Sequence, residues 1–219
     1  MQHSSKSIPA TGALWQAMAR QWALLASPVR PCAQDIRLVA EVLGAETNLF
    51  TPAENRRVWL LGVTPELAEA ECLQGLEMVA VDRVRAMIDA VWPGDSHRRR
   101  AVCADWLRAP FADESFDLVI GDGCLTHVAV PEGVASLLAS VHRCLRPGGF
   151  LLLRQFCPPD AAELPAAVIA ALRSGSMFSS KADTRAGSDS SVIPRYRSAS
   201  ISVAALISRR RSPTEATRM

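Results

Sequence analysis

The stretch VWLLGVTPELAEA, Val58–Ala70, reads as a buried strand running straight into a helix through one glycine, Gly62. Its opening apolar run predicts a strand covered on both faces, as in a parallel sheet flanked by helices. Thr64 suits the N-cap, Pro65 the first helical position and Glu66 the first turn, where negative charge complements the helix dipole. The turn is therefore well made without the several glycines of a nucleotide loop.

The same alternation continues downstream. EMVAVD, RRAVCADW, SFDLVIGDG and GGFLLLRQF are strand-like, and VRAMIDAVW and PEGVASLLASVHRCL are helix-like. Right-handed crossovers between such units give an α/β, doubly wound, mainly parallel sheet. Upstream, GALWQAMARQWALL places Leu14, Met18, Trp22 and Leu25 on one helical face with Trp15 beside it. Pro28 and Pro31 end that helix. A second is expected from Ala33 to Leu43, closed by Gly44.

Residues 174–219 have a different character. They hold twelve serines, and eight Lys/Arg against three Asp/Glu, a net charge of +5 within a chain whose total is +2. Residues 1–173 are therefore mildly acidic. Four segments are expected: a disordered N-terminus at 1–11, a helical cap at 12–56, the sheet domain at 57–173 and a Ser/Arg-rich disordered tail at 174–219. The apolar ISVAALI within the tail finds no partner in its neighbourhood. The abrupt change of composition reads as a degenerate or out-of-frame ending.

The 219 residues, 49% hydrophobic and 21% charged, suffice for one α/β domain with a sizeable core. No apolar run reaches the ~20 residues of a membrane span. The opening MQHSSKSIPA lacks a secretory apolar stretch, so a cytoplasmic location is expected. Six cysteines without a C-x-x-C pair read as buried free thiols, so no metal site is expected. The mildly acidic body presents no nucleic-acid-binding face.

Three spacings then coincide. Gly62 ends the first strand, Asp82 ends the second, and Asp105 follows the third in CADW, ahead of APFADESFDLVI and CLRPGGFLLL. This pattern resembles the class I S-adenosylmethionine-dependent methyltransferases, of the methyltransferase type 11 kind, over about Arg57–Phe156. The resemblance implies the Rossmann-like fold of that family, S-adenosyl-L-methionine as cofactor and methyl transfer to a small-molecule acceptor. A non-catalytic binding protein of the same fold, or an inactive remnant, is the alternative. It implies that Asp82 meets the ribose hydroxyls, with Arg83 beside it, and that Asp105 and Trp106 face the adenine, against which Met87 packs. Gly62 and Val63 would form the first loop, and Asp122 and Gly123 the floor near the reactive methyl. Singly, each Asp also fits a turn or helix cap, and Trp106 and Met87 equally fit the core. His127 is the candidate general base or a helix-flanking histidine. Arg30 would reach the cofactor's carboxylate or the acceptor, or stand at the surface. Trp15 and Trp22 would belong to a lid.

The first loop departs from the family. Leu60 stands where an acidic residue is usual, and the later glycines are replaced by VTPE. Pro65 removes one amide donor and Glu66 adds negative charge, which disfavours a pyrophosphate. The cationic sulfonium and amino end of S-adenosylmethionine tolerate such a loop. A nicotinamide dinucleotide is disfavoured on the same ground. Class I members normally continue past strand five with an antiparallel hairpin, and the tail's composition predicts that this chain lacks it.

Overall fold

The computed structural model describes residues 11–45, 56–157, 196–198 and 201–209. The centre of the fold is β1 (Arg57–Leu61), where Val58, Trp59, Leu60 and Leu61 are at most 1% exposed. A strand so deeply buried needs parallel neighbours on both edges and helices on both faces. Both are present. β1 leads through the sheet's first crossover, a single helical turn at Pro65–Ala68, into β2 (Glu77–Asp82). The helix Arg85–Val91 then leads to β3 (Arg99–Cys103), followed by β4 (Phe116–Asp122), the helix Glu132–Cys144 and β5 (Leu145–Cys157). β1 pairs in parallel with β2 and β4, β2 with β3, and β4 with β5.

With two further strands, β6 (Tyr196–Ser198) and β7 (Ile201–Arg209), the strand order is β3-β2-β1-β4-β5-β7-β6. The chain winds outward from β1 in one direction and returns through β4 in the other, so the carboxyl ends of β1 and β4 flank the switch point where such sheets hold ligands. One face is covered by the Pro65 and Arg85 helices and by two N-terminal helices, Thr11–Gln21 and Ala33–Ala45, through Ala19, Val39, Val42, Leu67 and Met87. The other is covered by Leu137 and Val141 of the Glu132–Cys144 helix and by Trp106, Leu107 and Phe111. The expected doubly wound α/β architecture is thus present.

The sheet's far edge overturns one expectation. β6 (Tyr196–Ser198) and β7 (Ile201–Arg209) form an antiparallel hairpin, and β7 pairs along β5 from Phe150↔Arg209 to Cys157↔Ser202. The chain does not lack the hairpin, and the tail is not structureless throughout. ISVAALI has no local partner because its partner is distant: the open hydrogen-bonding edge of β5, which would otherwise remain unpaired. The rest of the expected tail, together with residues 1–10, 46–55 and 158–173, lies outside the described residues.

Smaller corrections concern local chemistry. The second N-terminal helix runs through Gly44 to Ala45, so that glycine does not terminate it. Thr64 stands at the N-cap, but its hydroxyl makes no capping bond. In RPGG, Gly148 has φ +82°, as a tight turn requires, whereas Gly149 is needed for space: a Cβ there would lie 3.0 Å from the Asp117 carbonyl oxygen. Asp117 accepts from the Arg57 amide and from Arg146, both at 2.8 Å, joining β1 to the start of β5. Cys124 and Cys144 are buried as expected, but the free thiol of Cys103 is exposed at the end of β3. No helix among the described residues is long and apolar enough to cross a membrane.

Candidate active site

The switch point brings together the tips of β1, β2 and β4. Gly62, directly after β1, has φ +89° and donates its N–H to the Val81 carbonyl at 2.8 Å. Only glycine accepts that backbone without strain. Its amide is thereby committed to β2, and Val63 beside it is 2% exposed. Neither residue offers the bare, convergent N–H groups that a phosphate needs.

Asp82 ends β2. One carboxylate oxygen accepts from the Val84 amide at 2.8 Å, and the other has no hydrogen bond or ion pair among the described residues. Burial pushes this carboxyl up to about 6, against the partial relief of the Val84 bond and the charge of Arg83. A half-buried carboxylate with a spare oxygen is poised to accept hydrogen bonds from a ligand. Arg83 is itself exposed.

The residues after β3 are more structural than expected. The Asp105 side chain accepts from the Leu107 amide at 3.0 Å and caps the short turn Trp106–Arg108. It remains exposed. The Trp106 indole N–H donates to the Val81 carbonyl at 2.6 Å. Its ring lies beside the first loop, 3.9 Å from where a Gly62 Cβ would stand. The Val81 oxygen therefore ties Gly62 and Trp106 to the same point of β2. Met87 is 4% exposed and its side chain packs in the core on one face of the sheet.

At the tip of β4, Asp122 is held by Arg154 of β5, whose Nη1 donates to it at 2.5 Å. The same guanidinium donates through Nη2 to the Pro28 carbonyl at 2.7 Å, and its Nε lies 3.2 Å from Asp35. All three side chains are below 10% exposed. Burial pushes Asp122 up to about 6; Arg154 opposes the rise, while Asp35 and Glu66 add to it. Gly123 follows with φ +63° and donates its N–H to the Arg154 carbonyl at 2.8 Å. A Cβ there would meet the Phe156 ring at 3.3 Å.

Arg30 corrects its expected role. Its Nε donates to Glu66 at 2.7 Å and its guanidinium lies over the Trp22 ring, 5.4 Å from the centroid. It is not a free surface arginine; it fastens the N-terminal segment to the first-loop helix. Trp15 packs edge-on against His127, centroids 4.7 Å apart, so the first helix reaches over the tips of the strands. Burial lowers the His127 pKa, helped by the charge of Arg83, which leaves a neutral imidazole near Thr126.

Arg154 and Asp35 escaped the sequence reading. The signal was present in FLLLRQF, because an arginine inside a continuous apolar strand requires a buried anion. Asp35 carried no such mark, since an acid in the first turn of a helix is ordinary.

Residues 62–153 match the sequence profile described as "Methyltransferase domain". That segment is a methyltransferase domain. Its bounds run from the first-loop glycine to the end of the β5 apolar run, and so contain Asp82, Asp105 and Asp122. No curated protein sequence matches the chain. Among solved structures, the [4+2]-cyclase SpnF is similar at 14% identity and a TM-score of 0.52, covering 68% of this chain and 60% of its own. A candidate sarcosine dimethylglycine methyltransferase from Galdieria sulphuraria is similar at 12% identity and a TM-score of 0.50, covering 73% and 66%. The Haemonchus contortus phosphoethanolamine N-methyltransferase 2, solved in complex with S-adenosyl-L-methionine, is similar at 19% identity and a TM-score of 0.47, covering 71% and 36%. The methyltransferase domain thus stands in a chain that spans less than two thirds of the length of each of these proteins.

Proposed function

We propose that the chain binds S-adenosyl-L-methionine at the switch point and transfers its methyl group to a small-molecule acceptor. The observation that carries this reading is Asp82: a half-buried carboxylate with an unused oxygen, at the tip of β2 and beside the Gly62 turn. Asp82 would hold the ribose hydroxyls. Asp105, exposed at the next loop, would take the adenine amino group while continuing to cap its own turn. Trp106, Arg83, Val63 and Gly123 would line the site, with the Trp106 indole N–H already committed to the Val81 carbonyl. Met87 would support the wall from the core.

When bound, the cofactor supplies an electrophilic methyl on a sulfonium. The residues of the chain then have to hold the acceptor in line with it and exclude water. A proton acceptor is needed only where the methylated atom must lose a proton. His127 is neutral at the strand tips and is the residue available for that task; Asp122 is committed to Arg154. The N-terminal helices, residues 12–45, act as a cap over the domain that begins at β1.

Calorimetric titration with S-adenosylhomocysteine tests the reading. Micromolar binding is expected in the wild type and its loss in Asp82→Ala; unchanged binding in that variant would remove the ribose assignment. The second reading, a binding protein or an enzyme of other chemistry, is favoured by the same fold hosting a cyclase. A labelled-methyl screen across small-molecule amines, acids and phenols separates the two.

A further inference from the structure

Arg154 joins two parts of the molecule that the chain itself does not join. One arm of its guanidinium reaches Asp122 on the floor of the site. The other two reach Pro28 and Asp35, which belong to the N-terminal cap. Arg30 and Glu66 make a second bridge between cap and first-loop helix. The two bridges differ in charge. Arg30–Glu66 is balanced, whereas Arg154 serves two buried carboxylates at once.

We propose that Arg154 is a positioning residue of the methyl-transfer site: by sharing one guanidinium between Asp122 on the floor and Asp35 and Pro28 on the cap, it makes cap closure and the ionisation of Asp122 mutually dependent. This rests on the functional reading above. Closure brings the Asp35 carboxylate to a guanidinium that already serves Asp122 and takes water away from both acids. Two anions then compete for one cation in a poorly solvated place, and a proton on Asp122 relieves the competition. The charged groups around Asp122 are Arg154 on β5, Asp35 on the second cap helix and Glu66 on the first-loop helix, the last balanced by Arg30. The neighbouring Cys124 thiol is pushed far up by burial and stays neutral. The direction follows. Closure raises the affinity of Asp122 for a proton, so protonation favours closure, and the cap loosens as pH rises through about 6.

The test uses the full-length protein without ligand. Amide hydrogen exchange of residues 14–45 is followed at pH 5.5 and pH 8, corrected for intrinsic rates, beside S-adenosylhomocysteine titration by calorimetry. Cap protection is expected to fall from pH 5.5 to pH 8 by up to about fourfold, the limit set by an acid released from about 6 fully to its ordinary value. Asp35→Asn removes the competing anion and is expected to reduce that pH dependence while retaining a folded sheet. A purely structural bridge would instead lose protection equally at both pH values, which overturns the proposal. Arg154→Lys, which keeps the charge but not the three arms, is expected to keep Asp122 paired while lowering cap protection, and unchanged cap protection in this variant overturns the positioning role. Equal cap protection at both pH values in the wild type, with S-adenosylhomocysteine bound normally, overturns the coupling and spares the cofactor reading. Failure to bind S-adenosylhomocysteine overturns that reading, and the positioning role with it, whatever the cap does.

Discussion

Asp82→Asn should make the unliganded protein more stable at neutral pH while weakening its ligand. In the folded protein this carboxyl is raised from 3.8 to about 6, with burial as the leading cause. The folded state therefore binds the proton more tightly than the unfolded chain. The resulting stabilisation is fully present below about pH 3.8 and is lost as pH rises through about 6. The full difference corresponds to about 3 kcal/mol. Partial exposure of the side chain screens it, so about 1–2 kcal/mol is the expected cost of the ionised form at pH 7.5. Asparagine carries no charge and retains an oxygen for the Val84 amide. Urea denaturation at pH 4 and pH 7.5 measures the effect: the variant should gain about 1–2 kcal/mol at pH 7.5 and nearly nothing at pH 4. Binding of S-adenosylhomocysteine should weaken at least tenfold, as expected for a lost charged hydrogen bond of about 1.5–3 kcal/mol. A stability difference that is the same at both pH values, or a variant less stable at pH 7.5, would refute the reasoning.

Other perturbations separate packing from binding. Asp105→Ala loses a cap to the Leu107 amide and should cost about 1 kcal/mol in denaturation; a further loss of S-adenosylhomocysteine affinity in calorimetry is expected if the other oxygen meets the adenine. Gly121→Ala places a Cβ 2.4 Å from the Cys124 sulfur and 3.0 Å from the Leu61 Cβ in the core, and a loss of about 1–3 kcal/mol by urea titration is expected. Truncation after Cys157 uncovers the outer edge of β5, and light scattering should report self-association that the full chain does not show.

The central strands β1, β2 and β4 were legible because each is a nearly continuous apolar run, and burial on both faces leaves that signature without any knowledge of neighbours. EMVAVD, for example, is β2 with the same bounds, Glu77–Asp82. The acidic tips were legible by position, since the end of a strand is a place that topology assigns to ligands. What those tips do depends on which groups approach from elsewhere. Asp105 became a cap because Leu107 lies beside it, Met87 turned inward, and Asp122 became one arm of a bridge to Arg154.

The hairpin marks the boundary most plainly. Hydrophobic periodicity reports only the burial of a segment and the faces it presents, so the sequence by itself determined the five parallel strands, their helices and the Gly62 turn. Pairing is decided by backbone groups that carry no side-chain signature, and tertiary structure alone put ISVAALI against β5 and Asp35 against Arg154. The physical reason is the same in both cases: an unpaired strand edge or a buried charge fixes the need for a partner, and only the folded chain brings the partner within reach.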